Sequence, residues 1–255
     1  MQKNRTKAKL KSGGTVFGCF IRYPDATLVE VLGYQPWDFI VFDGEHGTIE
    51  PRDCENMVRA AEIQGITPII RVPTNSAPVI LRFMDTGAQG LHIPMINSGN
   101  EAENAVRSVK YLPRGARGLA GVRASDFGQK IPLGEYVAQA NNETLIAIHI
   151  ETVEAVENLS SILRVEDIDV IFVGPNDLSN SLGFPGQTQH PKVQETIEHI
   201  AGEVARAGRL LGIMVGNAAM ARQWRDKGAR YITIVMDGLL GPACRSYLNE
   251  ARAGE

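Results

Sequence analysis

Cysteine is scarce in this chain. The three in 255 residues, Cys19, Cys54 and Cys244, are far apart and form no CxxC. That leaves neither a disulfide framework nor a thiolate zinc site, and the three read as reduced packing residues. Excess charge is missing as well. A formal net charge of -3 gives no basic field to draw in nucleic acid or an anionic membrane surface, so the expected partner is a small molecule. No apolar run reaches the ~18 residues of a membrane span, and no long apolar h-region follows the locally basic start KNRTKAKLKSG, which points to a cytoplasmic chain. A GxGxxG after the first strand-like run and a GxxxxGK[ST] anywhere are both absent, so dinucleotide and P-loop sites lack support. Linker-like runs, low-complexity segments and internal repeats are missing too.

What is present is alternation. Short Val-, Ile- and Phe-rich runs are separated by segments of helical period, the pattern of parallel β/α units. Strands are expected at 15–20, 38–43, 67–71, 90–94, 145–151, 169–174, 210–215 and 231–237. A ninth, weak run at 117–122 is the one to discard. In PRDCENMVRAAEIQG, Cys54, Met57, Val58 and Ala61 recur at helical spacing before the stop signal Gly65. In HPKVQETIEHIAGEVARAG, Val193, Ile197, Ile200 and Val204 form one stripe between Pro191 and Gly208. The length and 44% hydrophobic content suit one closed (β/α)8 TIM barrel over residues 1–255 as a single domain.

Charged residues fall at the ends of these runs. Asp43, Arg71, Glu151 and the turn Gly174-Pro175-Asn176-Asp177 all sit where strands end, the face on which barrels build active sites. Glu151 and Asp177 are the metal candidates, because two carboxylates with open positions suit a hard cation such as Mg2+ or Mn2+. The competing reading makes them helix caps, although Thr152 can cap the helix after Glu151. DGEH at 43–46 puts a carboxylate and an imidazole in one turn, so His46 oriented by Asp43 is the expected general base. Arg71 can grip a carboxylate or oxyanion, or pair with Asp43 or Glu45. His92, His190 and His199 are read as surface histidines. His149 lies two residues before Glu151 and so shares its strand face.

The pieces FDGEHG (42–47), IIRVP (69–73), LRFMDTGAQGLHIPMI (81–96), GLAGVRAS (118–125), HIETVEAVENL (149–159), FVGPNDLSNSLG (172–183) and GIMVGN (212–217) together resemble the HpcH/HpaI aldolase family. These are class II, metal-dependent pyruvate aldolases such as 4-hydroxy-2-oxoheptanedioate and 2-keto-3-deoxy sugar acid aldolases. The resemblance covers nearly the whole chain. It implies that Glu151 and Asp177 bind a divalent cation, Mg2+ or Mn2+ before Co2+ or Zn2+, which pyruvate chelates. It implies that Arg71 steadies the keto oxygen, that amides near Gly174 and Asn176 hold the carboxylate, and that His46 with Asp43 exchanges the proton. It places Asp85 at the neighbouring subunit's site and Phe20 and Met214 along the substrate pocket. Family members are hexamers, trimers of dimers that exchange a C-terminal helix, for which DGLLGPACRSYLNEA is the counterpart. One departure stands out. His149 occupies a position where relatives commonly carry Gln, which opens a substrate-binding or third-ligand role for it.

The residue types fit that chemistry on their own terms. Splitting a 4-hydroxy-2-oxo acid into a 2-oxo acid and an aldehyde needs a base for the hydroxyl and a sink for enolate charge. A Schiff-base route needs a lysine in the barrel, yet Lys3, Lys7, Lys9, Lys11, Lys110, Lys130, Lys192 and Lys227 fall in the tail, loops or helices. The alternatives are a citrate lyase-type acyl-CoA lyase, for which no basic cluster invites the nucleotide, and a catalytically silent oxo-acid-binding barrel.

Overall fold

Eight strands form a closed parallel barrel in sequence order: β1 (Val16–Ile21), β2 (Phe39–Asp43), β3 (Thr67–Arg71), β4 (Gly90–Ile93), β5 (Leu145–Ile150), β6 (Val170–Val173), β7 (Leu211–Met214) and β8 (Tyr231–Val235). The structure, a computed structural model, describes residues 2–253. Around the strands run α1 (Arg5–Lys11), α2 (Ala26–Gly33), α3 (Pro51–Gln64), α4 (Ala77–Met84), α5 (Gly99–Val109), α6 (Leu133–Glu143), α7 (Val153–Glu157), α8 (Leu159–Leu163), α9 (Pro175–Ser181), α10 (Pro191–Arg206), α11 (Ala218–Asp226) and α12 (Asp237–Ala251). All eight expected strands are present to within a residue or two, and the discarded run at 117–122 is irregular. Leu119 there is 49% exposed, so nothing apolar draws that segment into the sheet.

Local chemistry sets the helix bounds. In α3, Pro51 opens the first turn, Asp53 accepts from the Glu50 N–H at 3.0 Å, and Gly65 closes the helix at φ 72°. Its stripe Cys54, Met57, Val58 and Ala61 is buried, as is Val193, Ile197, Ile200 and Val204 on α10. Inside the barrel, side chains two apart share the inner face. Phe20, Phe39, Phe172 and Tyr231 fill it with Val41, Ile69 and Ala147. Their bulk demands small neighbours. A Cβ on Gly18 would lie 2.1 Å from the Phe39 ring, and one on Gly212 would lie 2.6 Å from Val170.

The expected basic tail is instead a plug. Helix α1 lies across the N-terminal end of the barrel and buries Thr6, Lys7 and Leu10. Thr6 donates to the Asp38 carbonyl, Asn4 to the Gln89 carbonyl, and Lys7 Nζ to the Thr144 carbonyl and to Asp169 at 2.9 Å. Lys110 Nζ reaches the same Thr144 carbonyl, and burial pushes its ammonium down to about 7. Both buried lysines therefore lie at the end of the barrel opposite the strand C-termini. Among the described residues, no helix is long and apolar enough to cross a membrane.

Candidate active site

At the C-terminal mouth a cavity of about 110 Å3 is lined by Arg22, His46, Arg71, His149, Glu151, Phe172, Gly174, Pro175, Asn176, Asp177, Met214 and Val235. Roomier clefts exist, one of about 620 Å3 between α4, α5 and residues 116–118. Convergence of ionisable groups, rather than size, makes the mouth cavity the candidate site.

Glu151 follows β5 directly and is 2% exposed. Its Oε1 accepts the Met95 N–H at 2.8 Å, and its Oε2 lies 3.1 Å from His149 Nδ1. Met95 holds φ 55°, a costly conformation for a residue with a side chain, and that twist aims its N–H at the carboxylate. Burial alone would raise the Glu151 carboxyl. Its contacts with His149, Met95 and Arg71 outweigh burial and hold it below the ordinary carboxylate value. Neither metal candidate caps a helix. Thr152 Oγ1 accepts from Ala155 N at 3.0 Å to cap α7, and Gly174 is the N-cap of α9. Asp177 is half-buried, and among the described residues no hydrogen bond or ion pair engages its carboxylate.

Strand register decides the partner of Asp43. It stands directly opposite Arg71 on the neighbouring strand, and Arg71 Nε and Nη2 donate to its two oxygens at 2.8 and 2.5 Å. The expected Asp43–His46 side-chain pairing is thereby corrected: from its own turn Asp43 receives the backbone N–H groups of Glu45 and His46, not the imidazole. The His46 imidazole is half exposed, with Nε2 4.0 Å from Glu45 Oε2. Burial would raise the fully buried Asp43 carboxyl, but the Arg71 hydrogen bonds prevail and keep it low.

Arg71 Nη1 also reaches Glu45 at 3.0 Å, yet burial, with the nearby Glu151 and Asp43 carboxylates, outweighs the guanidinium and pushes the Glu45 carboxyl up to about 7. The native state thus holds the Glu45 proton more tightly than an unfolded chain near 4.5. Its stabilising contribution is full below that value and is lost as pH rises through about 7. Glu45→Gln is therefore expected to gain melting temperature over wild type, metal-free, as pH rises from ~4.5 to ~7.5. An offset that stays constant across that range contradicts this.

Several residues sit elsewhere than expected. Phe20 is fully buried and does not line the cavity; the Arg71 guanidinium lies 5.1 Å over its ring, which makes it the floor under that side chain. His92 is no surface residue. It points into the barrel from β4, 0% exposed, between His149 and Tyr231. His149 lines the cavity wall, but both ring nitrogens are within hydrogen-bond reach of other side chains, Nδ1 of Glu151 and Nε2 of His92. His190 and His199 do lie at the surface, on α10 and its cap. Asp85 ends α4 against Arg117 at 2.7 Å, away from this chain's own cavity.

Arg22 was not foreseen. It follows β1, its Nε lies 3.7 Å from Asp43, and that buried nitrogen has no hydrogen-bond partner. A charged residue just past a strand end was the available signal.

Fold and site define the class: a (β/α)8-barrel enzyme with its acidic and basic groups gathered at the strand C-termini. The chain belongs to the HpcH/HpaI aldolase/citrate lyase family, whose sequence model matches residues 16–241. It is 35% identical over 236 residues to the hydroxypyruvate/pyruvate aldolase of Roseobacter denitrificans, covering 92% of this chain and 91% of that one. It is 36% identical over 240 residues to a 4-hydroxy-2-oxo-heptane-1,7-dioate aldolase of Salmonella dublin, covering 93% and 90%. A solved HpcH/HpaI aldolase/citrate lyase family protein from Burkholderia cenocepacia J2315 superposes with a TM-score of 0.92 at 31% identity, over 98% of this chain and 99% of that one.

Proposed function

We propose that this protein is a divalent-metal-dependent aldolase that reversibly cleaves a 4-hydroxy-2-oxo acid to pyruvate, or a close 2-oxo acid, and an aldehyde. The observation that carries the reading is the pair of carboxylates, Glu151 and Asp177, brought by the adjacent strands β5 and β6 to one cavity that Arg71 also lines. The aldolase names of its relatives support it.

The donor set fits a hard cation, Mg2+ or Mn2+ before Co2+ or Zn2+. Two carboxylate ligands leave positions for water and substrate oxygens. Gly174 keeps the space clear, since a Cβ there would stand 2.6 Å from Glu151 Oε2. When bound, the cation supplies Lewis acidity that polarises the keto group and stabilises enolate charge.

The chain's own residues account for the rest. Asp43 accepts two of the five N–H donors of Arg71, and those not bonded to it are available to the keto oxygen as it gains negative charge. Amides at the start of α9, near Gly174 and Asn176, lack intrahelical partners and can hold the substrate carboxylate. His46, exposed at the mouth, takes the hydroxyl proton in cleavage and returns it in synthesis. Met214 borders an adjoining cleft of about 590 Å3, which would receive the far end of the aldehyde. No lysine lines the cavity, in keeping with a metal-assisted rather than a Schiff-base route.

The test is exchange of pyruvate methyl protons in D2O with Mn2+, followed by NMR. Exchange that depends on Glu151 is expected; binding without exchange would favour a silent oxo-acid-binding barrel. Free CoA is expected not to bind, and binding would favour the acyl-CoA lyase reading.

The assembly we propose is a hexamer, a trimer of dimers that exchange α12. That helix buries no residue and exposes Leu240 at 56% and Tyr247 at 72%. Meanwhile an apolar cleft of about 270 Å3, lined by Phe17, Trp37, Ala221, Ile232 and Ile234, stands open on the barrel. In this arrangement Asp85 serves the neighbouring copy's site. Light scattering is expected to give a hexamer mass that falls for Leu240→Asp/Tyr247→Asp; a monomeric wild type contradicts it. With its three cysteines unbridged, we place the protein in the cytoplasm.

A further inference from the structure

Below the site, a line of hydrogen bonds crosses the barrel that the chemistry above does not use. Glu151 Oε2 meets His149 Nδ1 at 3.1 Å, His149 Nε2 meets His92 Nδ1 at 2.9 Å, and His92 Nε2 meets the Tyr231 hydroxyl at 2.7 Å. All four side chains are 2% exposed or less. They come from the end of β5 and from β4 and β8, so the line spans the interior. Aromatic rings wall it off. Phe172 lies 4.8 Å from both imidazoles, Phe20 packs edge-on to His92 at 5.2 Å, and Phe39 stacks on Tyr231 at 4.2 Å.

Counting protons gives this line a direction. An ionised carboxylate only accepts, so His149 Nδ1 carries the hydrogen that faces Glu151. At the other end the fully buried Tyr231 hydroxyl has, among the described residues, only His92 Nε2 to donate to, so a neutral His92 carries its hydrogen on Nδ1 and donates it to His149 Nε2. Every donor is then used. If His92 instead donated from Nε2, the Tyr231 O–H would be a fully buried donor without an acceptor, since His92 is its only partner among the described residues. Burial favours the neutral forms this order needs, holding His92 well below and Tyr231 well above their ordinary values.

We propose that Tyr231 and His92 are positioning residues for Glu151: they lock His149 as the Nδ1–H tautomer, which holds Glu151 Oε2 while the Met95 N–H holds Oε1. This rests on Glu151 as a metal ligand for its functional consequence, though not for its geometry. It gives His149 a definite role. With Nδ1 donating and Nε2 accepting, the ring has no lone pair left for a metal or a substrate, so it is neither a third ligand nor a substrate contact. Hydrogen-bond partners of metal ligands fix their orientation, and here that support is relayed through two imidazoles to a phenol on the far wall.

The test uses the full-length protein with 15N-labelled histidine and no added metal. Long-range 1H–15N NMR is expected to show His92 and His149 both protonated on Nδ1 and bare on Nε2. A bare Nδ1 on either residue overturns the proposal. Tyr231→Phe keeps the stack on Phe39 and removes only the hydroxyl. It is expected to release the His92 tautomer and weaken Mn2+ binding, read by electron paramagnetic resonance, about three- to tenfold, less than the 10–100-fold typical of losing a direct ligand partner. His149→Gln, which keeps an N–H donor and a carbonyl acceptor, is expected to stay within about threefold, while His149→Leu falls by tenfold or more. Unchanged Mn2+ affinity in folded Tyr231→Phe and His149→Leu overturns the positioning role. Glu151→Gln separates the two claims: wild-type Mn2+ affinity in that variant would refute the metal site itself, whatever the tautomers show.

Discussion

Glu151→Ala is expected to lower kcat by more than about a hundredfold, and excess Mn2+ is not expected to restore it. The expectation follows from what the side chain does. Loss of an outer-shell partner of a metal site costs roughly 10–100-fold, and a direct ligand should cost more, because Asp177 alone is left to hold the cation. The fold should survive. The substitution leaves the Met95 N–H and His149 Nδ1 without their acceptor, at about 1–3 kcal/mol each, but it also removes a carboxylate from a buried position. A folded variant with near-wild-type kcat would remove Glu151 from the metal site.

Arg71 should produce the largest combined effect, on stability and activity together. Asp43 is fully buried and Arg71 is 6% exposed, so Arg71→Ala strands a buried carboxylate at a cost of about 3–5 kcal/mol. Melting temperature should fall by about 2–4 °C for each kcal/mol in a chain of this size. The double variant Arg71→Ala/Asp43→Ala removes the stranded charge and should regain part of that loss. It should not regain turnover, which falls about 100- to 1000-fold when a donor to a developing oxyanion is removed. Arg71→Lys keeps the charge but not the two-pronged grip on Asp43, so it should sit nearer wild type in stability than in activity. Equal recovery of both properties in the double variant would reduce Arg71 to a structural ion pair.

The pattern of recovery in the sequence follows from how local each determinant is. Strand positions were legible because each buried run is short, apolar and bounded by turn chemistry, and the strand ends alone placed Asp43, Arg71, Glu151 and Asp177 at one mouth. Partnerships were less legible. DGEH invites pairing Asp43 with His46 because they are close in sequence, but the barrel register sets Asp43 against Arg71, 28 residues away. His92 was misplaced for a similar reason. Its partners, His149 and Tyr231, lie 57 and 139 residues further along the chain. The alternation that placed His149 inside, applied to Gly90 and His92, would have turned His92 inward too. Arg22 was lost to a boundary, since a strand expected to end at Phe20 runs on through Ile21.

Metal-assisted carbon–carbon cleavage at the mouth formed by Glu151, Asp177 and Arg71 is what separates the proposed aldolase from a silent oxo-acid-binding barrel. It is tested most directly by following pyruvate released from a 4-hydroxy-2-oxo acid, with Mn2+ present, after EDTA, and after Mn2+ is restored. Release that stops with EDTA and returns with Mn2+ is the predicted result. Release that persists undiminished in EDTA, or no release with metal present, would contradict it.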